Sequence, residues 1–297
     1  MRVEKKAGIN LQLFAQKIDY ATKYTGAVDE RFEKESVTQD IVNQNYDWSG
    51  AKTVAVYDVS TASMNDYDRT GEKGNFSRYG KIENLNAEAE EMTLTQDRSF
   101  TFAIDKMDED ETAGALEAGK ALARQLREVT IPEVDQYRLD KMVAEAGHKK
   151  EGELTKDNIY EAILDATVAL DDAKVPVMDR TIVVTPEVYK LMKQSKDIIL
   201  DEEVSKEERQ KGIIAEIDGM KVKRVPSSRV SAENFQFLVT HSICTVAPIK
   251  LAEYKIHKDP VGISGSLVEG RVYYDAFVLK NKKAGIYLQT KGAGTEE

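Results

Sequence analysis

Apolar residues recur at helical spacing through the middle of the chain. Between Asp110 and Gly147, Leu116, Leu122, Leu126 and Val129 form a stripe that Val134, Leu139, Met142 and Val143 continue. The spacing predicts one long helix, or two meeting at Pro132, because proline lacks the amide hydrogen and crowds the preceding turn. Asp108, Glu109, Asp110 and Glu111 gather at its start, where the positive end of the helix dipole favours carboxylates. Gly147 is suited to end it in the left-handed conformation. Ala113, Gly114, Ala115, Ala118, Gly119, Ala121 and Ala123 leave the first half smooth enough for a sheet to approach. This segment reads as a spine.

Upstream of the spine the period is two. Residues 51–60 read as one strand, and residues 91–105 as a second in which Met92, Leu94, Phe100, Phe102 and Ile104 alternate with polar positions. The intervening stretch is rich in Asn, Asp, Gly, Ser, Arg and Tyr. The expectation is a long antiparallel ribbon with a polar tip. Such a ribbon alone buries too little to be stable, and so long a connection is normally functional or disordered. Both difficulties vanish if the ribbon lies on a neighbouring copy. Tyr67, Arg69, Phe76, Arg78 and Tyr79 are of types enriched at protein interfaces and are the candidate intersubunit contacts. The residues before them carry only scattered apolar anchors, among them Val37, Ile41 and Val42, as in an arm laid along another surface.

Downstream, residues 148–157 read as a polar hinge, and residues 155–172 as a helix with Ile159, Ile163, Thr167 and Leu170 on one face. The apolar run at 180–185 is a strand leading into a helix, with Thr185 and Pro186 placed to cap and start it. Asp218-Gly219 marks a tight hairpin turn between alternating strands. Residues 196–212 read as a charged, solvated stretch. Short strands follow between 234 and 256, and residues 270–291 predict a final hairpin around Asn281, Lys282 and Lys283 that returns to the spine. The last six residues look disordered.

Composition narrows the function. At 297 residues with 32% charged and 7% aromatic residues, the chain can bury a good aliphatic core. A net charge of -10 argues against a nucleic-acid-binding role, which concentrates Lys and Arg. One cysteine, Cys244, excludes an internal disulfide framework and suits a reducing compartment. No apolar run approaches the roughly 20 residues that cross a bilayer, so no membrane partner is expected.

Motifs for chemistry are missing: no phosphate loop, dinucleotide fingerprint, HExxH or CxxC occurs. Gly262–Ser266 has the wrong spacing for a nucleophile elbow and reads as a glycine turn. His241 and Cys244 lack the further donors that zinc needs, so Cys244 reads as a core thiol. Asp66, Asp68, Thr70 and Gly71 begin like a calcium loop, but Ser77 stands where the bidentate Glu belongs. Acidic clusters at 108–111 and 201–203 lie at a helix edge or in a polar run, which does not mark an acid–base pair. No catalytic residue, metal or cofactor is assigned.

The order of parts resembles the major capsid proteins of tailed phages, whose architecture is the Hong Kong ninety-seven, or Johnson, fold. The opening INLQLFA, FAIDKMDEDET leading into the spine, IPEVDQYRLDKMVAEAG within it, VVTPEVYKLM and GRVYYDAFVLKNKKAGIYL carry the likeness. The resemblance implies an α+β chain with an N-terminal arm (1–48), an extended two-stranded loop (49–109), a spine helix (110–147), an axial α/β domain (148–250), peripheral-domain strands (251–291) and a tail (292–297). It implies hexamers and pentamers closing an icosahedral shell around phage DNA, assembled in the bacterial cytoplasm. A scaffolding protein, a portal and a decoration protein are the partners it suggests, with packaged DNA held without specific binding. Lys73 and Lys81 lie in the loop from which some members form a lysine–asparagine cross-link. The rivals are an encapsulin-type nanocompartment shell, a phage tail or adaptor component, and an α/β enzyme with an unrecognised site.

Overall fold

The structure, a computed structural model, describes residues 36–43, 45–46, 48, 53–59, 61–70, 77–84, 87–111, 117–196, 198 and 213–292. Trp48–Leu94 makes one compact unit, and the chain on either side of it makes the other.

In the smaller unit β1 (Thr53–Val59) pairs antiparallel with β2 (Ala87–Thr93), from Thr53 opposite Thr93 to Val59 opposite Ala87. The single strand expected over 91–105 is in fact two. β2 ends at Thr93, and β3 (Gln96–Asp105) begins in the larger unit, in a different sheet. Asp275 fixes that restart: its Oδ2 accepts from both the backbone N and the hydroxyl of Thr95, each at 2.8 Å.

The larger unit is built on two main sheets. β10 (Ile249–Lys258), β11 (Gly265–Tyr274) and β3 form an antiparallel sheet in that order. Six strands, β4 (His148–Glu151), β13 (Ile286–Thr290), β8 (Phe235–His241), β5 (Arg180–Val184), β7 (Met220–Arg224) and β6 (Ile213–Ile217), form the other in that order. The supposed polar hinge at 148–151 is therefore an edge strand, parallel to β13. The expected final hairpin does not form, because β11 and β13 belong to different sheets and β12 (Phe277–Val278) pairs with β9 (Thr245–Val246). The Asp218-Gly219 hairpin is present, both residues at positive φ (47° and 75°), as a tight turn between twisted strands requires.

A short helix, α1 (Lys106–Glu111), carries the acidic run, so these carboxylates do not cap the spine. The spine's described part runs from Ala118 to Glu145 as α2 (Ala118–Gln125), a π-helical turn (Leu126–Thr130) and α3 (Ile131–Glu145), about 40 Å at 1.5 Å per residue. The irregularity comes ahead of Pro132. The amide of Ile131 reaches back five residues to the carbonyl of Leu126, and this wide turn lets the proline ring follow without breaking the rod. The extra residue shifts the apolar stripe by one: Val129, expected inside, is exposed, while Ile131 is buried. At the far end Ala146 turns extended, and Gly147 serves close approach rather than a left-handed stop. Its amide donates to Lys283 O at 3.0 Å, and a β-carbon there would strike the Lys283 backbone.

The spine serves both sheets. Leu122, Leu126, Ile131 and Val134 pack with Val268, Val272 and Tyr254 of the three-stranded sheet. Leu139 and Met142 pack with Val183, Leu238, Ile286 and Leu288 on one face of the six-stranded sheet. The other face of that sheet is covered by α4 (Ile159–Asp172) and α5 (Pro186–Gln194). Covered on both sides, β5 is buried at all five positions, which explains the apolar run of Ile182, Val183 and Val184. Thr185 caps α5 as expected, its hydroxyl accepting from Val188 N.

Candidate assembly surfaces

The finger that β1 and β2 carry is tied to itself. Ser63 donates to the Glu83 carboxylate through its backbone N (3.1 Å) and its hydroxyl (3.0 Å), which holds that carboxyl below its usual range. Asp68 N donates to Arg78 O at 2.9 Å, and the rings of Tyr67 and Tyr79 meet edge to face at 5.1 Å. Gly80 turns the chain at φ 90°, where a β-carbon would collide with Asn65. These rungs order the two limbs without help, more than a floppy loop would allow. Apolar area remains exposed along the finger at Tyr57, Met64, Tyr79 and Ile82.

The structure thus brings together three of the five candidate contact residues. Tyr67 and Tyr79 meet edge to face, Arg78 lends its carbonyl to Asp68, and Arg69 is exposed. Phe76 lies outside the described residues, as do Lys73, Gly71, residues 201–203, most of the N-terminal arm and the tail. Lys81 is exposed. Asp68 accepts from the Thr70 hydroxyl at 3.3 Å, a local turn contact. Among the described residues no three metal-ligating side chains cluster, and no helix is long and apolar enough to cross a membrane.

The most polar buried feature was not read from sequence. Asp135 and Arg138, one turn apart on α3, are fully buried. Asp135 accepts from Ser36 Oγ (2.6 Å), Val37 N (3.1 Å), Thr38 N (3.3 Å), Thr38 Oγ1 (2.5 Å) and Arg229 (2.8 Å). Arg138 donates to Thr38 Oγ1 (3.1 Å), Gln39 Oε1 (3.3 Å) and Ala247 O (3.2 Å). Burial pushes its pKa down to about 10, against the pull of Asp135, so it stays charged at neutral pH. Lys223, also buried, donates to Val37 O at 2.7 Å and to Asp40. Residues 36–43 are therefore nailed into the body: Ile41 and Val42 enter the core, and Asn43 N donates to Thr245 O. The available signal was two charged residues, Asp135 and Arg138, set among the apolar positions Val134, Leu139 and Met142.

The remaining chemistry is structural. His241 Nδ1 accepts from Ile243 N at 3.2 Å, and burial raises the Cys244 thiol to about 11. The turn between β10 and β11 spans residues 259–264, with Gly262 in it and Gly265, the first residue of β11, at positive φ. On the solvated face of the three-stranded sheet Arg271 grips Asp97 (2.8 and 2.5 Å) and His257 meets Glu269 (3.2 Å), exposed pairs worth little each.

No protein family and no curated protein matches the sequence. Solved structures do match in shape. A structure titled Mycobacterium phage Che8 aligns over 86% of this chain and 90% of its own, with TM-score 0.63 and 19% identity. A capsid structure of the cyanophage P-SCSP1u aligns over 87% and 89%, with TM-score 0.63 and 13% identity. A virus-like particle from Pyrococcus furiosus aligns over 91% and 99%, with TM-score 0.51 and 13% identity. This is the Johnson fold.

Proposed function

We propose that this protein is the major capsid protein of a tailed phage, a subunit whose copies associate as hexamers and pentamers into an icosahedral shell around DNA. The observation that carries the reading is the agreement in shape of 86–87% of the chain with a phage structure and a cyanophage capsid structure, at identities too low for anything but shape to be shared. Arm (1–48), extended loop (49–109), spine (110–147), axial domain (148–250), peripheral strands (251–291) and tail (292–297) are the parts this reading assigns. Tyr67, Arg69, Phe76, Arg78 and Tyr79 are its intersubunit contacts.

Physical chemistry supports it. Copies that meet through different patches close into rings and shells, and many weak contacts made together hold such an assembly. A net charge of -10 would repel packaged DNA rather than hold it, which permits filling and release. Of the strongly shifted groups, Arg138, Cys244 and Tyr274 are buried and Tyr137 is half-buried with its hydroxyl on Asp275, each shifted first by burial in a packed structure. The role is structural, in the virion shell, with assembly in the bacterial cytoplasm and a scaffolding protein, portal and decoration protein as further partners. The match to a virus-like particle supports a second reading, a shell of the encapsulin kind with other contents. Negative-stain microscopy of the purified chain tests both: closed particles are expected, and nucleic acid in particles recovered from infected cells separates the phage shell from the compartment.

A further inference from the structure

The turn between α4 and β5 is built to hold two apolar side chains in water. Val177 is 59% and Met178 79% exposed, in a turn of only seven residues. Two residues that are not glycine bracket it at positive φ, Lys174 at 58° and Asp179 at 61°, and such conformations persist only where surroundings enforce them. The enforcing group is Arg180, almost wholly buried. Its guanidinium donates to Pro176 O (2.8 Å), Val175 O (2.5 Å) and Asp171 (2.7 Å), and Val175 packs beside Gly285. A floppy surface turn needs no buried arginine on two of its carbonyls. The turn is a rigid knob, with Lys174 on it and Lys282 close to its base, where both Lys282 and Asp179 act on His241.

A complementary surface exists on the same subunit. α4 buries Ile159, Ile163, Ala166 and Leu170, and on its opposite face Leu164 and Val168, one turn apart, are 40% and 57% exposed. Glu161 and Asp172 flank these two aliphatic residues. An apolar patch flanked by two acidic residues thus answers an apolar knob at which Lys174 and Lys282 outnumber Asp179. The two patches differ, so their union is head to tail, the kind of contact that closes into rings.

We propose that the Val177–Met178 knob of one copy docks on the Leu164–Val168 face of α4 in the next copy. This rests on the shell reading and names a contact within its rings, separate from the finger.

Full-length L164C/M178C, oxidised after assembly and run without reductant, tests it, since the native Cys244 is buried. A ladder of covalent products beyond the dimer is expected, with none from L164C or M178C alone. A dimer only, or no product, overturns the contact. V168D and M178D should each unfold at the wild-type temperature, because both positions are exposed, and raise the concentration needed for assembly tenfold or more. Unchanged assembly would overturn the contact while leaving the shell reading intact. If the wild-type chain forms no particles the shell reading falls, and the same oxidation of the concentrated, unassembled double variant decides the contact: a ladder supports it and its absence overturns it.

Discussion

Ser36 Oγ donates to Asp135 Oδ1 at 2.6 Å, joining residues 99 positions apart in the chain. Asp135 holds four more hydrogen bonds, three to Val37 and Thr38 and one to Arg229. One carboxylate therefore fixes where the N-terminal part of the chain meets the body. A buried charge is stabilising only while its partners are in place.

Asp135→Ala leaves Arg138 and Arg229 without their anion and Ser36 and Thr38 without an acceptor. A loss of about 3–5 kcal/mol is expected, as for a broken buried pair. Denaturant unfolding measures it, and hydrogen exchange should show faster exchange at the amides of Val37 and Thr38 than in the wild type.

Gly147→Ala places a methyl group against the backbone of Lys283. A loss of about 1–3 kcal/mol is expected from forced overpacking, read as a lower denaturant midpoint at unchanged slope.

Alkaline pH should destabilise the fold. Burial raises the Cys244 thiol to about 11 from an ordinary 9.0, so the folded state holds this proton longer than the unfolded chain does. Its contribution is complete below about pH 9 and is lost as pH rises towards 11. Cys244→Ala should flatten the fall in stability across that window. Tyr137, raised to about 12 by burial and then by its 2.7 Å bond to Asp275, adds a later loss above pH 10.

How much of this was legible from sequence varied with how local the cause was. The Thr185 cap, the Asp218-Gly219 turn and the apolar β5 run are each set by neighbouring residues, and each is where the pattern put it. The helix stripe was legible until Val129, where the π-turn, forced by Pro132 two residues beyond it, changed the phase. Partners distant in the chain were not legible. Nothing near Thr95 says that Asp275 will break a strand there, and nothing near Gly147 announces Lys283. Of the contact candidates, Tyr67 and Tyr79 were chosen by residue type alone, and their pairing across the finger is a fact of the fold.

Replacing residues 61–84 by a two-residue turn should remove the finger while keeping β1 and β2 paired. The remaining chain should melt as the wild type does, because Ser63, Asp68 and Tyr67 bond within the finger. Sedimentation should show capsomers and particles lost. Normal assembly of this variant would remove the finger from the set of contacts.

The most direct measurement is negative-stain electron microscopy of the purified full-length chain, alone and with proteins expressed beside it. Closed icosahedral particles, or free hexamers and pentamers that close on concentration, are the expected result. A monomer that stays monodisperse under every condition would contradict the assignment of this chain to a shell.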